Sequence, residues 1–293
     1  MSKLTNRLGY VGILCLAWLA VAAMAAENVY PWLRGAEPRE ALATRILPPE
    51  GYVRTVVAPG SFADWLRHLP LKPEGSPVLL FDGSPKFNQQ AHYAVIDIDR
   101  GRENLQQCAD AVIRLRAEYL YSRGRDVHFN FTSGDRAAWS QWSAGYRPSV
   151  HGNKVSWSRS ARADTSYPAF RRYLDTVFMY AGTWSLSREL HHRPLERMRV
   201  GDVFIRGGFP GHAVLVVDMA RDPITGEKLF MLAQSYMPAQ DIHILRNDNE
   251  PALSPWYRMP VVDELVTPEW TFRANQLKAF PDEPLPTRVS RVS

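Results

Sequence analysis

The chain has 293 residues, a formal net charge of +5 and two cysteines, Cys15 and Cys108. Its basic residues alternate with acids instead of forming runs, which excludes a nucleic-acid-binding stripe. It also lacks a glycine-rich phosphate loop or dinucleotide fingerprint. With 9 Trp, 12 Tyr and 12 Phe it has material for a sizeable core, and 22 Pro point to a loop-rich fold.

The first residues carry Lys3 and Arg7, then an uncharged apolar run from Leu8 to about Ala23, then Ala23-Met24-Ala25. A charged start, a short apolar centre and a small-residue exit are the parts of a cleavable secretory signal peptide. The expectation is therefore a signal peptide over 1–25 and a mature protein in a bacterial periplasm or secreted. The run is short for a stable membrane span, which needs ~20 apolar residues. Leu14 before Cys15 is too large for a lipoprotein site. Cleavage would leave Cys108 as the one thiol, buried and inert or reactive and used, with no internal disulfide possible.

Residues 26–45 read as an irregular segment, 46–280 as one α+β domain and 281–293 as a disordered tail. Ser61 is expected to cap a short helix with Asp64 at its third position. Val78–Phe81 and Ala91–Ile98 read as strands. The clearest helix spans Asn104–Tyr121: Asn104 caps it, Gln107 completes the box, and apolar residues recur at 105, 108, 109, 112, 113, 115 and 120. Gly124 ends it. Val127–Phe131 alternates like a strand. Residues 132–166 show no period and read as loops and short strands. Helices are expected over Tyr167–Tyr180 and Ser185–Leu190. Strands follow over Asp202–Ile205, His212–Ala220 and Lys228–Tyr236, with a turn at Asp222–Glu227 making the last two a hairpin, and a fourth over Asp241–Leu245. Beyond Pro251 the chain is Pro-rich and carries no assignment.

Cys108 falls in the first turn of its helix, where the partial positive charge favours a thiolate. The same position also suits a small apolar side chain packing on a core. Further on, Gly201-Asp202 precedes a strand, and Gly207-Gly208-Phe209-Pro210-Gly211 leads into His212 at the start of the next. This resembles the papain-like cysteine hydrolases of the cell-wall amidase and CHAP type. The resemblance implies a nucleophile-bearing helix packed on an antiparallel sheet, with insertions. It implies Cys108 as nucleophile and His212 as its base. A third group should orient His212. With Arg221 opposite Lys228, Ser235 shares the His212 face; a bulge or a change of one residue in the loop substitutes Gln234, and Asp218 shares that face further along. The family favours an amide or acid, so Gln234 is preferred. The oxyanion donor stays open among Gln107, Tyr93 and the Cys108 amide.

Across roughly 45–280 the chain also resembles a bacterial exported family known as a domain of unknown function (4846). The matching stretches are Gln107–Leu120, Gly201–Asp218 and Gln234–Gln240, and no activity is implied by them. Trp139, Trp142 and Tyr93 are the candidate substrate contacts; the tryptophans read first as packing under a loop, with stacking on sugar rings as the functional alternative. Adjacent His191 and His192 point apart on any regular element and find no third ligand, so no metal is implied; nor is a cofactor. Arg114 and Arg116 read as solvated or paired structurally. The function expected is a cell-envelope thiol hydrolase or acyltransferase acting on amide bonds, with peptidoglycan peptides as the abundant substrate. The alternative is a non-catalytic envelope protein binding glycan or a protein partner.

Overall fold

The computed structural model describes residues 29–33 and 40–281. The signal segment over 1–25 and residues 282–293 of the tail lie outside the described residues. The helices are α1 (Leu42–Arg45), α2 (Phe62–Arg67), α3 (Cys108–Ser122), α4 (Trp139–Ser143), α5 (Tyr167–Tyr180) and α6 (Thr183–Glu189). The strands are β1 (Val53–Arg54), β2 (His92–Val95), β3 (His128–Asn130), β4 (Arg136–Ala138), β5 (Tyr146–His151), β6 (Lys154–Arg159), β7 (His191–His192), β8 (Val203–Arg206), β9 (His212–Arg221), β10 (Lys228–Gln234), β11 (His243–Leu245), β12 (Trp256–Arg258), β13 (Glu264–Val266), β14 (Thr271–Arg273) and β15 (Leu277–Ala279).

A mixed sheet-and-helix architecture results. The main sheet runs β2-β11-β10-β9-β8-β15-β7, with β1 added to β9 and β12 to β10. Its pairings are antiparallel. Central β9 is buried at every residue except its last, which matches its near-continuous apolar run and its place under covering layers on both faces. Helix α3 packs across β9 and β10. One buried apolar cluster runs from Leu42 to Leu277.

Several expectations hold to the residue. Ser61 Oγ accepts the Asp64 amide at 3.2 Å at the head of α2. Helix α5 has the expected bounds. Past α3, the amides of Gly124 and Arg125 reach back to Tyr121 O and Leu120 O, both at 2.9 Å, with Gly124 at φ 60°. That pair of bonds closes a helix end through a left-handed residue, which glycine adopts without strain.

Others change. Val78–Phe81 forms isolated bridges through Leu79 and Leu80, not a strand. Helix α3 starts at Cys108, not after Asn104. The Asn104 side chain instead accepts the Ala239 amide at 2.7 Å. The helix is capped from within, where Asp110 Oδ2 accepts the Gln107 amide at 3.0 Å. Cys108 is thus the first helical residue. The Pro-rich stretch beyond Pro251 contributes β12 to β15.

Candidate active site

Gly211, directly before His212, has no room for a side chain. A Cβ there would sit 2.4 Å from both Gly208 O and Thr183 Oγ1. The glycine-rich turn therefore folds tightly against the start of α6 and delivers His212 to the top of β9. Cys108 and His212 line one cavity of about 410 Å³, with Gln107, Gly208, Phe209, Tyr236 and Trp270 among its walls. Sequence positions about a hundred residues apart are brought together because α3 lies across β9.

The hairpin register decides the third group. Lys228 pairs with Arg221 as expected, but a bulge follows: Met231 faces Asp218 while Leu232 faces Val216. That extra residue turns Gln234, not Ser235, to the His212 face. His212 Nε2 lies 2.8 Å from Gln234 Oε1. Ser235 faces the other way, its hydroxyl 2.9 Å from Gln106 O and 3.0 Å from Gln240 O. Asp218 is buried between Arg54 (2.7 Å) and Arg67 (2.8 Å) and serves as a structural anchor.

The proton pattern follows from one acceptor. Glu269 Oε2 accepts from Gln234 Nε2 at 2.8 Å and is paired with Lys86. A carboxylate only accepts, so the amide nitrogen points to Glu269 and the amide oxygen to His212. That oxygen only accepts in turn, so His212 carries its proton on Nε2 and presents a bare Nδ1. The other amide hydrogen lies 3.4 Å by heavy atoms from His243 Nε2, and His243 Nδ1 donates to Asp241 O at 2.9 Å. Tyr236, Trp270 and Phe272 surround the His212 ring at centroid distances of 4.8, 5.2 and 5.8 Å.

The electrostatics correct the thiolate expectation. Burial pushes the Cys108 thiol up to about 11, and the nearby Asp110 carboxylate pushes the same way. The amides of Ala109, Ala213 and Cys108 oppose this without overcoming it. Burial also lowers His212 to about 4, against the hydrogen bond that His212 donates to Gln234. Burial holds Asp110 itself well above the usual carboxylate range. At neutral pH the pair rests as thiol and imidazole, because desolvation outweighs the field of a helix end.

Three expected substrate contacts lie elsewhere. Trp139 packs on Phe170 and Tyr173, with centroids at 5.3 and 5.6 Å. Trp142 is buried against Tyr173, with the Arg147 guanidinium 3.9 Å over its ring. Both are drawn into the aromatic cluster of α5, where burial favours flat apolar rings. Tyr93 is exposed on β2 and does not line the cavity that holds Cys108 and His212. Gln107 does line it, and the Cys108 amide, at the first position of α3, has no intrahelical acceptor. Arg114 is fully buried and paired with Glu118 and Asp99. The Arg116 guanidinium lies 4.8 Å from both the Phe62 and Phe280 ring centroids. Among the described residues, no group of three His, Cys, Asp or Glu is arranged for a metal, and no helix is long and apolar enough to cross a membrane.

Sequence reasoning missed Glu269, Trp270, Lys86 and His243. Glu269 and Trp270 sit in the turn between β13 and β14, closed by the Thr267 amide on Trp270 O at 2.8 Å. Pro268 in Thr267-Pro268-Glu269-Trp270, between two short alternating runs, was the available signal for that hairpin.

The family model described as Domain of unknown function (4846) matches residues 42–279. The chain belongs to this family. The matched span contains Cys108, His212, Gln234 and Glu269. No curated protein and no solved structure matches the chain.

Proposed function

We propose that this protein is a thiol-dependent hydrolase or acyltransferase of the bacterial cell envelope, in a papain-like arrangement. The carrying observation is that Cys108 and His212 line one cavity while Gln234 holds the His212 tautomer from behind. In the proposed step, Cys108 Sγ attacks a substrate carbonyl carbon. The thiol proton passes to His212 Nδ1 as the S–C bond forms. The first-turn amide of Cys108 and the Gln107 side chain face the developing oxyanion. The protonated His212 then gives its proton to the leaving group as the C–N or C–O bond breaks. Water, or an acceptor amine or hydroxyl, releases the acyl group from sulfur. Because the resting pair is neutral, His212 works as a general base during attack and stores no thiolate in advance. The export signal read at the N-terminus supplies the envelope location, where amide-linked peptides are abundant.

The buried, protonated thiol favours a second reading: a non-catalytic envelope protein that binds a glycan or protein partner, with Cys108 packed and inert. Incubation with p-nitrophenyl acetate, followed by intact-mass and peptide mass spectrometry, separates the two. The enzyme reading expects an acetyl adduct on Cys108 and at least a tenfold slower adduct in His212→Ala. An unmodified Cys108 while the ester is intact would select the binding reading.

A further inference from the structure

The cavity over Cys108 has an unusual lining for a site facing water. Leu105, Phe178, Met179, Phe209, Met237 and Trp270 supply most of its large side chains. Of these, Phe209 is 96% exposed, Met179 57% and Met237 52%. Trp184, 49% exposed, continues the same apolar rim beside Phe209. Large apolar side chains at these exposures, grouped round one opening, mark a surface built to be covered.

The charge pattern says by what. Among the described residues, Asp110 is the one Asp, Glu, Lys or Arg in the lining, and it is buried and tied to the Gln107 amide. His212 rests neutral. Lys86 and Glu269 satisfy each other behind Gln234 and do not line the cavity. A carboxylate or ammonium on the occupant would leave water without finding a counter-ion. At about 410 Å³ the space falls within the range of small-molecule pockets. Leu105 and Phe178 also form the wall shared with a charged cavity of about 860 Å³ that holds Asp99, Arg100 and Arg171, so charged and apolar compartments are partitioned at that wall.

Resting on the thiol-transfer reading, we propose that the site takes an uncharged, apolar acyl group, a straight hydrocarbon chain beside the carbonyl that Cys108 attacks. Met179, Phe209 and Met237 cover the chain. Peptides bearing free carboxylates next to the scissile bond are rejected.

The full chain is assayed with p-nitrophenyl acetate, butanoate and hexanoate and with the p-nitrophenyl monoester of succinate, reading the initial rate of Cys108 acylation by mass. Rates are divided by those for free cysteine with each ester. The expected result is a rise of about fourfold per added methylene, the worth of one buried CH₂. The succinate ester should acylate at least tenfold more slowly than butanoate. Phe209→Ser, at a fully exposed position, should flatten the chain-length slope. Acylation that ignores chain length, or succinate matching butanoate, overturns the apolar-acyl assignment and leaves the catalytic reading standing. No acylation of Cys108 by any ester overturns both.

Discussion

His212 shows how burial sets both chemistry and stability at one residue. Its imidazole is lowered to about 4, chiefly by desolvation, whereas in the unfolded chain it titrates near ~6.5. Between those values the unfolded state holds more protons. Stability tied to His212 is therefore complete above about pH 6.5 and lost as pH falls toward about 4. The full difference corresponds to about 3 kcal/mol. Urea unfolding at about pH 7 and about pH 4.5 should show the parent chain losing about 2 kcal/mol more than His212→Gln over that interval. Equal losses would mean that His212 is not held neutral in the fold. The same residue displays what was legible in sequence: its glycine-rich approach and the Gly211-His212 pair marked it as the candidate base. Its tautomer was not legible, because that depends on Glu269, 35 positions beyond Gln234.

At the scale of elements, two local devices build the site. The bulge after Met231 turns Gln234 toward His212, and the self-capping by Asp110 starts α3 at Cys108. The sequence left Gln234 and Ser235 open because strand alternation is exact and a bulge leaves no periodic trace. With Gln234 used for His212, Ser235 acquires a separate structural role. Its hydroxyl ties the end of β10 to Gln106, two residues before Cys108. Ser235→Ala should cost about 1 to 2 kcal/mol in urea unfolding, the usual worth of a buried hydroxyl leaving a carbonyl unpaired. The His212 Nε2 proton should remain visible by NMR in that variant. Loss of that proton signal would show that Ser235, not the bulge, holds the Gln234 register.

Over the whole molecule, one buried carboxylate binds the N-terminal segment to the central strand. Asp218 on β9 is fully buried and pairs with Arg54 of β1 and Arg67 of α2. Asp218→Asn leaves two guanidinium groups short of their counter-charge, which should cost about 3 kcal/mol or more. Denaturant titration would measure it. Cys108 acylation, assayed where the variant is still folded, should match the parent chain, because Asp218 does not line the cavity. A large drop in acylation with the fold intact would return Asp218 to the site.

What the sequence determined alone was whatever local chemistry carries: the α+β class, the bounds of α5, the cap at Ser61, the hairpin partner of β9, and Cys108 and His212 as the groups to test. Each rests on a period, a turn or a cap within a dozen residues. Tertiary structure decided the rest. It chose Gln234 through a bulge, brought Trp270 over His212 and Glu269 onto Gln234 from a short Pro-containing hairpin, and packed Trp139 and Trp142 against the aromatic rings of α5. It also set Cys108 and His212 neutral. Those outcomes depend on burial and on contacts between distant segments, and desolvation is a property of the assembled surroundings that no stretch of sequence carries by itself.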